Sequence, residues 1–220
     1  MRMIGAITIG QAPRDDVVPE MEKLLGAGVR VLQAGALDGL SRADIAALAP
    51  AQGDDALITR LTDGSEVIVA KRAILDRLQA CLDRLAPQTE VCVILCAGKF
   101  PPFRSLRPVL LPDRLIAAAV DAVWEGGHLG VIVPIAQQRA AAVARWARVD
   151  GEAAVTVASP YQGAGEVMRA AKELRREGVS LTVMSCLGFT SATKAVVRDV
   201  TGAPALLPIS LIARFLGELA

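Results

Sequence analysis

Cys96 and Cys186 each close an apolar run, "VCVILC" and "TVMSC", and each is followed two residues later by a glycine, Gly98 and Gly188. A thiol at the end of a buried strand is either packing or a reactive group delivered to the edge of a sheet. Once deprotonated it is a base or a nucleophile, and its unperturbed pKa of about 8.5 keeps that form within reach near neutrality. The N–H groups of Ala97, Gly98, Leu187 and Gly188 follow the thiols, and glycine lets the backbone approach an anion closely. The other two cysteines read as packing: Cys81 falls inside a helical pattern and Cys92 inside a strand pattern. There is no C-x-x-C pair and the only histidine is His128, which argues against zinc and against a histidine-activated nucleophile. His128 precedes a predicted strand, whereas the active edge of an open α/β sheet lies at the C-terminal strand ends, so it reads as a surface loop residue.

The elements that carry these cysteines occur twice. Gly5 and Ile7 of "IGAITIGQ" stand opposite Gly130 and Ile132 of "LGVIVPIAQ". Val93, Cys96 and Gly98 stand opposite Val183, Cys186 and Gly188, and "LLPDRLIA" matches "LLPISLIA" at six of eight positions. In the first half, strands are expected over 4–9, 29–34 and 91–95 and helices over 15–25 and 74–85. In the second, strands are expected over 129–133, 155–159 and 181–185 and helices over 137–149 and 166–176. Both halves read β-α-β-α-β and then cysteine, which implies parallel strands joined by right-handed crossovers. The expected halves are 1–98 with 206–220, and 99–205.

The offset between halves is 125 at the first strand (5 to 130) and 90 at the cysteines (96 to 186), so the first half carries about 35 extra residues after Gly35. This insert, 36–72, holds a short helix with Ser41 as N-cap and Asp44 three residues on, then two alternating runs flanking Asp63-Gly64. A helix and a β-hairpin are expected, serving as a lid or as a contact with a second copy.

Equivalent placement gives the cysteines a joint chemistry. If the halves face each other across a pseudo-two-fold axis, one thiol lies on each side of a bound carbon. One thiol can remove a proton from one face and the other return it on the opposite face. A proton α to a carboxylate is far less acidic than a thiol, so backbone N–H groups must stabilise the charge that develops. Thr190 can add a hydroxyl and is also placed to cap the next helix. Other candidates stand at strand ends. Gln11 and Arg14 follow the first strand, and Arg14 could hold a carboxylate in a bidentate pair. Asp15 and Asp16 beside it read as acidic residues complementing a helix dipole. Ser159 and Tyr161 follow the second strand of the second half, as substrate contacts or as a plain Pro-Tyr turn. Lys99 and Arg104 read as solvated.

Composition bounds the partners. A net charge of +1 gives no case for nucleic acid or an acidic membrane. The chain is 53% hydrophobic and 3% aromatic, which suits a soluble α/β enzyme, and no apolar run is long enough to span a bilayer. The opening "MRMIGAITIGQAP" reads as a first strand, not a signal peptide, which points to the cytoplasm, where the four cysteines are expected as free thiols.

The stretches "TIGQAPRDDVVPEM", "GALDGLSRADIAALAP" and "SCLGF" resemble the AroM protein family over nearly the whole chain. More distantly, the layout of two halves and two cysteines is similar to the aspartate/glutamate racemase superfamily. That group includes cofactor-independent racemases, maleate cis-trans isomerases and arylmalonate decarboxylases. The resemblance implies two pseudo-symmetric Rossmann-like (flavodoxin-like) α/β halves whose parallel sheets face across a carboxylate-binding cleft. It also implies a small carboxylate substrate, no cofactor, and self-association by analogy with oligomeric relatives. Racemases of that group follow the first cysteine with Asn-Thr and the second with Thr-His or Thr-Glu; here Ala97-Gly98 and Leu187-Gly188 stand instead. The expected activity is a racemase, epimerase or isomerase using both cysteines. A one-cysteine isomerase or decarboxylase, and a non-catalytic binding protein, remain as alternatives.

Overall fold

The computed structural model describes residues 1–147 and 151–220, which divide into two compact units, Met1–Leu115 with Ile212–Ala220, and Ile116–Leu211. The repeats put the changeovers at 98/99 and 205/206; the compact units change over at 115/116 and 211/212. Both changeovers fall at the same point of the repeated octapeptide, ahead of Ile116 and ahead of Ile212.

The first unit contains β1 (Arg2–Thr8), α1 (Val18–Leu25), β2 (Val29–Gly35), α2 (Arg42–Ala47), β3 (Ala56–Arg60), β4 (Glu66–Ala70), α3 (Lys71–Leu85), β5 (Val91–Leu95) and β6 (Val109–Leu110). Its sheet has the order β2-β1-β5-β6, with every pair parallel. All five residues of β5 are buried, as an unbroken apolar run covered on both faces requires. Helix α3 buries Ile74, Leu78, Cys81, Leu82 and Leu85, one stripe at helical spacing. It begins three residues before the expected position because β4 runs into it with no intervening loop. Helix α1 begins at Val18 and not at 15, since 15–17 form a turn in which the Arg14 carbonyl accepts from the N–H groups of Val17 and Val18.

The insert forms the expected helix and hairpin. Ser41 and Asp44 close a capping box on α2. Strands β3 and β4 pair antiparallel from Ala56↔Ala70 to Arg60↔Glu66. The connection runs over five residues, with Gly64 at φ 85° and the Asp63 carboxylate accepting from the Ser65 N–H at 3.0 Å. Ile45, Leu57, Leu61 and Val69 of the insert are buried in the core cluster of the first unit. At about 1.5–3 kcal/mol for each fully buried aliphatic side chain, these four root the insert in the unit.

The second unit contains β7 (Gly127–Val133), α5 (Arg139–Trp146), β8 (Gly151–Val157), α6 (Ala164–Arg176), β9 (Leu181–Met184), α7 (Ser191–Thr201) and β10 (Ala205–Leu206). Its order, β10-β9-β7-β8, repeats that of the first unit, again with all pairs parallel. A 3-10 turn at Ala136–Gln138 precedes α5, so the helix starts two residues later than the pattern suggests. The expected end of that helix, 149, lies outside the described residues. Strand β8 covers Gly151–Val157, four residues earlier at its start than the expected 155–159.

The octapeptide repeats become a two-residue strand and a helix each: β6 with α4 (Pro112–Val123), and β10 with α8 (Pro208–Leu219). Helix α4 starts in the first unit and ends in the second; α8 does the reverse.

The repetition extends to individual hydrogen bonds. Gly5 pairs in register with Cys92 across β1 and β5, and Gly130 with Thr182 across β7 and β9. The Cys92 N–H donates to the Pro108 carbonyl at 3.0 Å, and the Thr182 N–H to the Pro204 carbonyl at 2.9 Å. A Cβ at Gly5 would lie 2.7 Å from Cys92 Sγ, and one at Gly130 would lie 3.2 Å from Thr182 Oγ1. At Gly5 the neighbouring strand fills the side-chain space, and at Gly130 Leu174 of the helix Ala164–Arg176 (3.1 Å) and Val179 (3.2 Å) crowd it together with Thr182.

Candidate active site

Each cysteine leaves its strand by the same local step. The Cys96 N–H donates to the Ile94 carbonyl at 2.8 Å, and the Cys186 N–H to the Met184 carbonyl at 2.8 Å. These are three-residue γ-type turns, which commonly end strands. Both thiols are half-buried, whereas Cys81 and Cys92 are buried. Burial pushes the Cys81 and Cys92 thiols up from the ordinary value. Cys81 donates to the Gly35 carbonyl at 3.4 Å, and Cys92 lies 3.3 Å from Thr89 Oγ1. Those two cysteines are packing residues.

In the first unit, Ala97 is buried and the Gly98 N–H points at the Cys96 sulfur, 3.4 Å away. A hydrogen bond donated to sulfur favours the thiolate. A Cβ at Gly98 would lie 3.2 Å from Leu57 Cδ2 of β3, 3.4 Å from Cys96 Sγ and 3.7 Å from Phe100 Cε2. The insert therefore reaches the Cys96 loop. It also reaches the end of β1, where a Cβ at Gly10 would lie 2.3 Å from Thr59 Oγ1 and 2.6 Å from the Arg60 carbonyl. Gln11 holds this contact: its side-chain carbonyl accepts from the Thr62 N–H and hydroxyl, both at 3.1 Å. Lys99 and Arg104 are exposed.

Arg14 is 4% exposed, and its guanidinium forms a bidentate pair with Asp16, Nε to Oδ1 at 2.7 Å and NH2 to Oδ2 at 2.9 Å. Its NH1 donates to Thr8 Oγ1 at 3.1 Å, at the end of β1, where Thr8 is in register with Leu95, the neighbour of Cys96. Burial raises the Asp16 carboxyl, but the Arg14 hydrogen bonds and charge outweigh it and hold the group below its ordinary value. Asp16, expected as a dipole complement, is the partner of Arg14; Asp15 is exposed. Asp38 ties the ends of β1 and β2 together, accepting from the Ala12 N–H and the Gly35 N–H, each at 2.8 Å. Gly35 has no alternative, because a Cβ there would lie 2.5 Å from both Asp38 Oδ1 and the Gly10 carbonyl.

In the second unit, Tyr161 packs on the glycine after Cys186. A Cβ at Gly188 would lie 2.7 Å from the Tyr161 hydroxyl and 2.8 Å from ring atoms Cε1 and Cζ. Ser159 is buried, and its hydroxyl accepts from the Tyr161 N–H at 3.2 Å. Leu187 is buried. Thr190 is the N-cap of α7, accepting from the Thr193 N–H at 3.3 Å in a capping box. The structure thus gathers Ser159, Tyr161 and Gly188 in the second unit, and Gly98 with Cys96 in the first. Gln11 and Arg14 are joined to the end of β1.

Sequence reasoning missed Leu57, Thr59, Thr8 and Asp38. Only the hairpin alternation hints at Leu57 and Thr59. His128, expected ahead of β7, is its second residue, and its Nδ1 donates to the Glu177 carbonyl at 2.7 Å. It lines a recess of about 380 Å³ with Arg139, Thr156 and Glu173. Among the described residues no helix is long and apolar enough to cross a membrane.

Solved structures share the fold. The unliganded arylmalonate decarboxylase matches at a TM-score of 0.59 and 12% identity, over 100% of this chain and 92% of that one. Allantoin racemase from Pseudomonas fluorescens matches at 0.60 and 10%, over 98% and 89% of the two chains. Aspartate racemase from Picrophilus torridus matches at 0.60 and 11%, over 100% and 96%. No curated protein matches the sequence. At these identities the likeness is one of fold. The model of the AroM protein family matches residues 4–220, and the chain belongs to that family.

Proposed function

We propose that the protein is a cofactor-independent racemase, epimerase or isomerase of a small carboxylate, with Cys96 and Cys186 exchanging protons with one substrate carbon from opposite faces. The observation that carries the reading is the identical exit of the two cysteines, each through a three-residue turn and each followed by a glycine under a packed side chain. Packing alone gives no reason to repeat a half-buried thiol at the same step of both units.

In one direction the Cys96 thiolate takes the proton α to the carboxylate, and the Cys186 thiol gives its proton to the other face. The product then leaves Cys96 as thiol and Cys186 as thiolate, ready for the reverse substrate. The Gly98 N–H supports the thiolate of Cys96. Charge developing on the carboxylate is met by backbone N–H groups of the Cys186 loop and by the Tyr161 hydroxyl, which lies over Gly188. Arg14 is committed to Asp16, so its part is to fix the end of β1.

A second reading has one thiol doing the chemistry, as an isomerase or decarboxylase. The unlike surroundings of the two cysteines, Leu57 and Phe100 at one and Tyr161 at the other, favour it. The deciding experiment is alkylation rate against pH, read at each cysteine by mass spectrometry, followed by a deuterium-exchange screen of small carboxylates in heavy water. Fast reaction at Cys96 and Cys186 with an apparent pKa well below about 8.5, slowed by a carboxylate, supports a thiol site. Four inert thiols in the folded protein would leave a binding protein that has the fold without the catalysis.

A further inference from the structure

We infer that the Cys96 half-site selects a carboxylate bearing an apolar substituent, and that the insert, through Leu57, makes this selection. This rests on the carboxylate reading above and specifies the substrate class. Leu57 Cδ2, Phe100 Cε2 and Cys96 Sγ all lie within 3.7 Å of one point above Gly98. The sulfur thus shares its immediate surroundings with an aliphatic and an aromatic side chain. Phe100 stacks in turn on Phe103, with ring centroids 6.2 Å apart and planes tilted by 38°. Two of the four phenylalanines of the chain therefore stand in the loop that follows this thiol. Phe100 and Leu57 are buried, while Cys96 and Phe103 keep partial exposure.

The pattern has a direct chemical meaning. Ala97 and Gly98 offer no side-chain hydroxyl or amide to a second polar group, and the Gly98 N–H is turned to the sulfur. A polar substituent placed against Leu57 and Phe100 would give up water to side chains that cannot hydrogen-bond, whereas a hydrocarbon substituent loses nothing. Each methylene buried there is worth about fourfold in affinity.

The test compares malonate with n-butylmalonate as protectants of Cys96 against iodoacetamide, in the full chain and in Leu57→Val and Leu57→Thr, with folding checked by circular dichroism. The expected result is half-protection by butylmalonate at a concentration at least tenfold below that of malonate. Leu57→Val should shrink that preference about fourfold. Leu57→Thr, of the same shape but polar, should shrink it further. Protection by malonate with no advantage for butylmalonate overturns the inference and leaves the carboxylate reading standing. A preference unchanged in folded Leu57→Val and Leu57→Thr overturns the assignment to Leu57. A reactive Cys96 that neither acid protects overturns the carboxylate reading and this inference with it.

Discussion

The loops after Cys96 and Cys186 are alike in backbone and unlike in what lies over them. Each thiol is placed by the same three-residue turn, at the end of a strand in the same position of the same four-strand order. Over Gly98 lie Leu57 from the insert and Phe100; over Gly188 lies the Tyr161 ring. The two units repeat the geometry that aims a thiol. The surroundings differ because elements outside the repeat cover the two loops: the 36–72 insert in one half, and a Pro-Tyr turn in the other.

The largest effects test whether the two thiols are partners. Cys96→Ser and Cys186→Ser should each lower deuterium exchange into the substrate by about 10³-fold, within the range for a general acid or base. A loss confined to one of them would break the comparison and leave a single working thiol. Next in size is a feature of the first unit, the Arg14–Asp16 pair. Asp16→Asn takes the bidentate carboxylate from a buried guanidinium and should cost about 3 kcal/mol in urea denaturation. Asp16 titrates below its ordinary value, so its stabilisation is complete above about pH 3.9 and is lost as pH falls through the depressed folded value. The variant should lack that part of the acid-side slope. A smaller contrast separates the glycines. Gly188→Ala forces a Cβ within 2.8 Å of two Tyr161 ring atoms and should cost about 2 kcal/mol. Gly98→Ala meets Leu57 at 3.2 Å and should cost about 1 kcal/mol or less. Equal costs would mean that Tyr161 yields as easily as a leucine methyl. Finally, Cys81 and Cys92, whose thiols burial pushes up, should alkylate appreciably only at alkaline pH or on unfolding.

Strands that end in cysteine were legible because parallel strands covered on both faces need continuous apolar runs, and "VCVIL" is one. Strands β6 and β10 were not, because two residues carry no period, although the repeat around them was visible. Ser41 and Asp44 announced their cap because that bond is local. The same locality hid Asp16: an acidic residue near a helix start normally answers the dipole, and only the fold shows the Arg14 guanidinium beside it. Leu57 and Thr59 could be placed on a hairpin from sequence, but their docking on Gly98 and Gly10 joins residues far apart in the chain. No spacing rule reports such a contact.

The crossing of α4 and α8 between units has a consequence for synthesis. The first unit needs residues 212–220, which leave the ribosome only after all of 116–211. Arg2 donates to the carbonyl of Ala220, so its opening strand is fastened by a residue translated after the whole of the second unit. The second unit can therefore close first, while the first awaits Ile212, Ala213 and Leu216, which are buried in the finished molecule. The unit that carries Cys96 would thus be completed after the unit that carries Cys186, although Cys96 is translated first.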